Sequence, residues 1–295
     1  MNRVEYRFIT ARTAVNRVEG MYFRWSLNPY RGCAHACQYC YARTTHTFLN
    51  LDVGRDFERI IFVKENLPKV LRSEINRRSW HRESIAIGTA TDPYQAAEGT
   101  FRITRRCLEV LADRRNPCTI TTKGTLIVRD LDVMQSLSWT TEFSVYLSLA
   151  TMDPDLIRRL EPGSPPPTSR LRVLERLRAA GIRTSVLLMP IIPGITDRPE
   201  QLAEVVRAAA DHGATGVHAT VLRLAPGVKE WFEAFVQREF PHLTRSYGRG
   251  YALGPNAPEI YLTTIQQRVA EASAQNIFSP MPERESTELH QLPLC

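Results

Sequence analysis

Apolar positions along this chain follow two rhythms. Short runs rich in β-branched and aromatic residues, at 22–27, 84–88, 118–122, 143–149, 184–189 and 216–224, have the length and composition of buried strands. Between them apolar residues recur every three or four positions. Leu67-Val70-Leu71-Ile75, Leu108-Leu111, Leu156-Ile157-Leu160, Leu171-Leu174-Leu177 and Leu202-Val205-Val206 each mark one face of a helix. Six strands alternating with helices predict a parallel sheet of βαβ units. Right-handed crossovers would curl that sheet into an α/β partial TIM-type barrel, (β/α)6. After Pro226 the alternation stops. An aromatic helix is expected over 231–240, a glycine- and tyrosine-rich stretch over 247–254, as a turn or hairpin, and a further helix over 263–273. The chain thus divides into an N-terminal extension (1–20), a barrel core (21–226), a C-terminal extension packed on the core (227–279) and a weakly ordered tail (280–295).

Local punctuation agrees with this division. Asp153 before Pro154 is an N-cap with a first-turn proline, and Pro199-Glu200 opens another helix. Gly181 and Gly213 stand where helix C-terminal glycines belong. Gly163-Ser164-Pro165-Pro166-Pro167 can only be a loop.

Composition narrows the class without naming a partner. At 295 residues, 43% hydrophobic and 23% charged, the chain has the make-up of a soluble globular protein. The first twenty residues hold no apolar signal stretch, and the most apolar run, 185–195, is broken by Pro190 and Pro193. A cytoplasmic location without membrane contact is therefore expected. The net charge of +7 is concentrated in Arg72, Arg77, Arg78, His81 and Arg82 and in Arg102, Arg105, Arg106, Arg114 and Arg115. Such groups permit nucleic-acid contact and equally suit solvated helix faces.

Three of the six cysteines crowd one segment, Cys33, Cys37 and Cys40, spaced Cys-x3-Cys-x2-Cys. In a reducing compartment this reads as metal binding rather than disulfides. Three thiolates suit a [4Fe–4S] cube with one iron left open. The competing reading is zinc, with His35 as a fourth ligand, although His35 reads more simply as an exposed loop residue. Cys107 and Cys118 fall in apolar patterns and read as small core residues, and Tyr247, Arg249 and Tyr251 as a packed turn or a substrate-touching hairpin. Polar residues gather just past the apolar runs: the cysteine loop after the first, Thr89 to Asp92 after the second, Lys123 after the third and Ser148 at the fourth. In parallel barrels those strand ends converge on one face.

In its cysteine spacing, with Tyr39 before the third cysteine, the chain resembles the radical S-adenosylmethionine (radical SAM) superfamily. Further pieces resemble its spore photoproduct lyase-like branch: Cys37-Gln38-Tyr39-Cys40-Tyr41, Thr91-Asp92, Thr122-Lys123, Phe143 through Ser148, Glu161-Pro162-Gly163, Arg170-Leu171 and Tyr247-Gly248-Arg249. The resemblance implies a [4Fe–4S] cluster on Cys33, Cys37 and Cys40 and S-adenosyl-L-methionine as cofactor. It implies that Lys123 pairs with the cofactor carboxylate, Ser148 with its polar groups, Tyr39 with the adenine, and Thr91 and Asp92 with the methionyl end. It also implies an external one-electron donor of flavodoxin or ferredoxin type. Reduction would release a 5′-deoxyadenosyl radical that abstracts hydrogen from a substrate the sequence does not reveal. Two departures stand out. Gly88-Thr89-Ala90-Thr91-Asp92 replaces the superfamily's frequent Gly-Gly-Glu, and Thr89 falls where the lyases carry a hydrogen-returning cysteine. A DNA photoproduct lyase, and a non-catalytic zinc- or cluster-bearing nucleic-acid-binding protein, are the alternatives.

Overall fold

Six parallel strands form the spine of the computed structural model, which describes residues 4–280. They are Trp25–Leu27, Ile85–Ile87, Cys118–Thr122, Phe143–Ser148, Thr184–Ile191 and Val217–Val221, numbered here as barrel strands one to six, and each pairs with its sequence neighbour. Helices fill the connections, so the expected (β/α)6 order is present in an α/β fold whose sheet stays open. Strand six forms one edge, and Asn16–Arg17, antiparallel to strand one, forms the other.

The alternation within each strand explains the layering. Leu27, Ile85, Ile87, Ile120, Val145, Leu147, Val186 and Leu188 are fully buried and belong to one continuous core. The intervening positions, Ser26, Thr119, Thr121, Ser144 and Tyr146, point to the opposite face and are polar. Cys107 and Cys118 lie wholly inside the core, as their patterns predict. Asp153 caps its helix by accepting hydrogen bonds from Asp155 N (2.9 Å) and Leu156 N (3.0 Å).

Three findings differ from expectation. The N-terminal segment is built into the sheets: besides Asn16–Arg17, Glu5–Phe8 pairs in parallel with Ile60–Val63, which pairs antiparallel with Tyr30–Arg31. Ile60–Val63 is buried at every position, so it lacks the alternation that marks a strand. The glycine- and tyrosine-rich stretch begins as a helix, Thr244–Gly250, and only its end is a turn. Tyr247 and Tyr251 stack across one helical turn, with rings 5.8 Å apart. The helices Val228–Glu239 and Glu259–Ala274 flank it. Of the tail at 280–295, only Pro280 lies among the described residues. No helix among the described residues is long and apolar enough to cross a membrane.

Candidate functional site

Barrel strand one runs into a loop held from every side. Gly32 has φ +86°, and a Cβ there would fall 2.7 Å from Ile60 O. Its carbonyl accepts from Thr91 Oγ1 (2.6 Å) and Gln95 Nε2 (3.0 Å), while Ala34 N donates to Gln95 Oε1 (3.0 Å). Cys33 N donates to Phe57 O (3.0 Å) and Gln38 N to Leu160 O (2.9 Å). Ala36 takes a strained positive φ of 55°. Its carbonyl is held by Arg43 Nη2 (3.1 Å) and Gln38 Nε2 (3.2 Å). Arg43, fully buried, also donates to Cys37 O (2.9 Å), Val53 O and Gly54 O, and pairs with Glu58 at 2.6 Å. The loop is a preorganised object.

Cys33, Cys37 and Cys40 are free thiols. Burial pushes the Cys33 thiol up to about 12, with the Asp92 charge adding to it. Burial likewise raises Cys37 and Cys40, and the Lys123 charge opposes the rise in both. A soft metal group would bind these sulfurs as thiolates and release their protons. Among the described residues, no three His, Cys, Asp or Glu side chains converge tightly enough to hold a single metal ion. Three cysteine thiolates with no fourth protein ligand beside them among the described residues are the donor set a [4Fe–4S] cluster with one open iron would take. His35 is also not placed as a fourth ligand. It is buried rather than exposed, because the Gly163 backbone lies directly against Ala34 and His35. Its Nδ1 sits 3.2 Å from Asp92 Oδ2 without a directed hydrogen bond.

The remaining expected residues surround this loop. Asp92 is saturated: Oδ1 accepts from Thr122 Oγ1 (2.6 Å) and Tyr94 N (2.8 Å), and Oδ2 from Lys123 N (2.7 Å). Burial alone would raise its carboxyl, but facing His35 and these donors hold it well below the usual carboxylate range. Its geometry fixes the end of strand three, and with it Lys123. Thr91 is turned to the cysteine loop and accepts from Gln95 Nε2 (2.8 Å). Burial draws the Lys123 ammonium down, and Cys37 and Glu161 outweigh it, so its pKa is raised. Lys123 Nζ stands 5.9 Å from the centre of the Tyr39 ring. Among the described residues no carboxylate lies within ion-pair distance of it.

Tyr39 donates its hydroxyl to Glu161, which is fully buried and pairs with the equally buried Arg170. Burial would raise Glu161, but the Arg170 and Lys123 charges bring it down to about 2. Arg170 also donates to Ser164 Oγ (2.5 Å), Pro165 O (2.9 Å) and Ser148 O (3.0 Å). Ser148 is buried, and its hydroxyl reaches Met189 O only weakly, at 3.4 Å.

Thr91 thus bonds the cysteine loop at Gly32, Asp92 holds the backbone of Lys123, Lys123 stands over Tyr39 within the loop, and Tyr39 and Ser148 are joined through the Glu161–Arg170 pair. Sequence reasoning gave no role to Gln95, Arg43, Glu161 or Arg170. A faint signal existed for Arg170, an arginine on the apolar face of the Leu171-Leu174-Leu177 helix. Thr89, at the expected place of the lyase cysteine, exchanges side-chain contacts with Asn28 (3.1 Å), and its carbonyl accepts from the Tyr41 hydroxyl.

Known proteins resemble this chain in sequence and in fold. An uncharacterized protein of Mycobacterium tuberculosis is 39% identical over 92% of this chain and 81% of its own length. A Methanocaldococcus jannaschii protein, also uncharacterized, is 29% identical over 66% of this chain and 71% of its own. Among solved structures, a spore photoproduct lyase variant with bound AdoMet and dinucleoside spore photoproduct has a TM-score of 0.70 at 15% identity, covering 92% of this chain and 79% of that one. The Streptococcus suis protein SuiB, bound to precursor peptide SuiA, has a TM-score of 0.51 at 12% identity over 86% of this chain and 47% of its own. These two show a shared fold. Residues 27–218 match the Radical SAM superfamily, and with that match over the barrel and its cysteine loop, the chain belongs to the radical SAM superfamily.

Proposed function

We propose that Cys33, Cys37 and Cys40 hold the superfamily's [4Fe–4S] cluster, and that Lys123 and Ser148 receive S-adenosylmethionine beside it. The observation that carries this reading is one juxtaposition. Three free thiols on a loop pinned by Gln95 and Arg43 lie beside a lysine whose ammonium has no carboxylate partner among the described residues. When bound, the cluster and cofactor supply a 5′-deoxyadenosyl radical that abstracts hydrogen from substrate.

The chain's own residues do the rest. Lys123 offers a compact cation to the cofactor carboxylate. Asp92 acts as a positioning residue, holding the Lys123 backbone, and Thr91 with Gln95 fixes the loop that carries Cys33. Tyr39 is anchored by its hydroxyl on Glu161, leaving its ring to face Lys123 and the cofactor adenine. The electron comes from an external carrier of the flavodoxin or ferredoxin type.

Spore photoproduct repair is the second reading, favoured by the fold shared with the lyase. Thr89 weighs against it: its O–H bond is too strong to return a hydrogen atom, and Cys107 and Cys118 are sealed in the core. We favour a different substrate.

Anaerobic reconstitution with iron and sulfide, then reduction with dithionite in the presence of S-adenosylmethionine, tests the reading. About four irons per chain and release of 5′-deoxyadenosine are expected. Stoichiometric zinc without iron–sulfur absorbance would overturn it. Conversion of spore-photoproduct DNA to thymines would restore the second reading.

A further inference from the structure

Behind the cysteine loop, on its outer side, a surface groove of about 210 Å³ opens. Gln38, from within the cysteine motif, forms one wall. Half-buried Trp231 of the helix Val228–Glu239 forms an aromatic floor above buried Phe235, whose ring lies under the Arg238 guanidinium, and Arg55, Arg59 and Arg238 form the rim. Arg55 and Arg59 have no ion-pair partner among the described residues. The carboxylates at the groove are paired: Glu58, which also lines it, with buried Arg43, and Glu239 with Arg159 and with the rim's own Arg238. Asp52 and Asp56 cap one another's backbone. Arg55 and Arg59 therefore leave positive charge beside an apolar floor.

From that floor a short path of packed side chains leads to the cysteines. The Trp231 ring lies over the Arg43 guanidinium at 4.7 Å, and Arg43 Nε donates to Cys37 O at 2.9 Å. Two packed side chains separate the surface from the backbone of a cluster cysteine. We propose that this groove is where a small acidic flavin-bearing electron carrier docks, an inference that rests on the iron–sulfur reading above. The arginine rim attracts the carrier's acidic surface, and the aromatic floor meets the flat edge of its flavin. A carrier whose redox centre lies beneath its own surface would leave that floor unused. The carrier loses one electron, the iron–sulfur site gains it, and no bond forms or breaks. A transient redox encounter needs only a small interface, which suits a shallow groove.

The test uses the reconstituted holoenzyme and oxidised flavodoxin, with binding followed by titration calorimetry at several salt concentrations. Arg55→Glu with Arg238→Glu, both at exposed positions on separate elements, should raise the dissociation constant at least tenfold and flatten its salt dependence. Arg59→Gln, a milder change, should raise it by about threefold, and serves where the double variant folds poorly. Dithionite-driven release of 5′-deoxyadenosine should stay within twofold in all variants, while release driven by reduced flavodoxin falls with binding. An unmoved flavodoxin constant overturns the proposal, as does binding of a ferredoxin in place of flavodoxin. So does loss of duplex-oligonucleotide affinity alone, which would make the groove a nucleic-acid surface. Failure of dithionite to yield 5′-deoxyadenosine overturns the radical reading itself, and the calorimetry still decides the docking surface.

Discussion

Lys123 and Glu161 divide the charge work of the site, and a substitution at each has a separate signature. Lys123→Ala removes the cation proposed to meet the cofactor carboxylate and should leave the cysteine loop in place. Loss of one charge-assisted contact, about 1.5–3 kcal/mol, should weaken S-adenosylmethionine binding roughly 10- to 100-fold by equilibrium dialysis, with iron content unchanged. Loss of iron in that variant would make the lysine structural. Glu161→Gln leaves Arg170 buried without its counter-ion, and breaking a buried pair costs about 3–5 kcal/mol. The urea midpoint should fall accordingly, and Glu161→Gln with Arg170→Met should recover much of it. An unchanged midpoint in the single variant would show that Arg170 keeps its charge satisfied by Ser148 O, Ser164 and Pro165 O alone. At this scale the cysteine loop and the strand-end place of Lys123 were legible in the sequence, because the Cys-x3-Cys-x2-Cys spacing and the end of an apolar run are both local patterns. Glu161 and Arg170 stood out only as pieces of the resemblance, and their pairing was not legible, since two charged residues nine positions apart look like surface until the fold buries them together.

Elements meet the cysteine loop at distances that leave no room for change. A Cβ at Gly163 would fall 2.0 Å from Ala34 O, a backbone atom that cannot yield without moving the loop. Gly163→Ala should therefore lower iron incorporation sharply and reduce thermal stability. Gly216→Ala, where a Cβ meets nothing within 4 Å, is the control and should leave both unchanged. Iron analysis and a melting curve on both variants check this, and full iron loading in Gly163→Ala would refute the close packing. The six barrel strands were readable as elements because each is a distinct apolar run followed by an amphipathic helix. Ile60–Val63 escaped notice for the opposite reason: only four residues long and buried throughout, it carries no period. The stretch around Tyr247 misled because glycines suggested a turn, whereas tertiary packing of Tyr247 and Tyr251 against the core holds it as a helix.

Acid stability couples the site to the whole molecule. Glu161 titrates near 2 when folded against an ordinary value of 4.5, and Asp92 is lowered as well. A depressed carboxyl contributes stability that is fully present above its unfolded value and disappears as pH falls through its folded one. The window for Glu161 therefore runs from about pH 4.5 down to about 2, and a shift of this size corresponds to something on the order of 3 kcal/mol. The chain's net charge of +7 grows in the same range, so self-repulsion adds to the loss. Urea midpoints of the cluster-free protein should drop steeply between pH 5 and 2.5. Glu161→Gln mimics the protonated carboxyl, so the variant should start lower at pH 6, lose less on acidification and approach the wild type near pH 2. Parallel curves with a constant offset would mean that Glu161 keeps an ordinary carboxyl and that Arg170 draws its stability from the surrounding carbonyls. Convergence would instead place much of the fold's acid sensitivity in the same buried pair that anchors Tyr39 beside the cysteines.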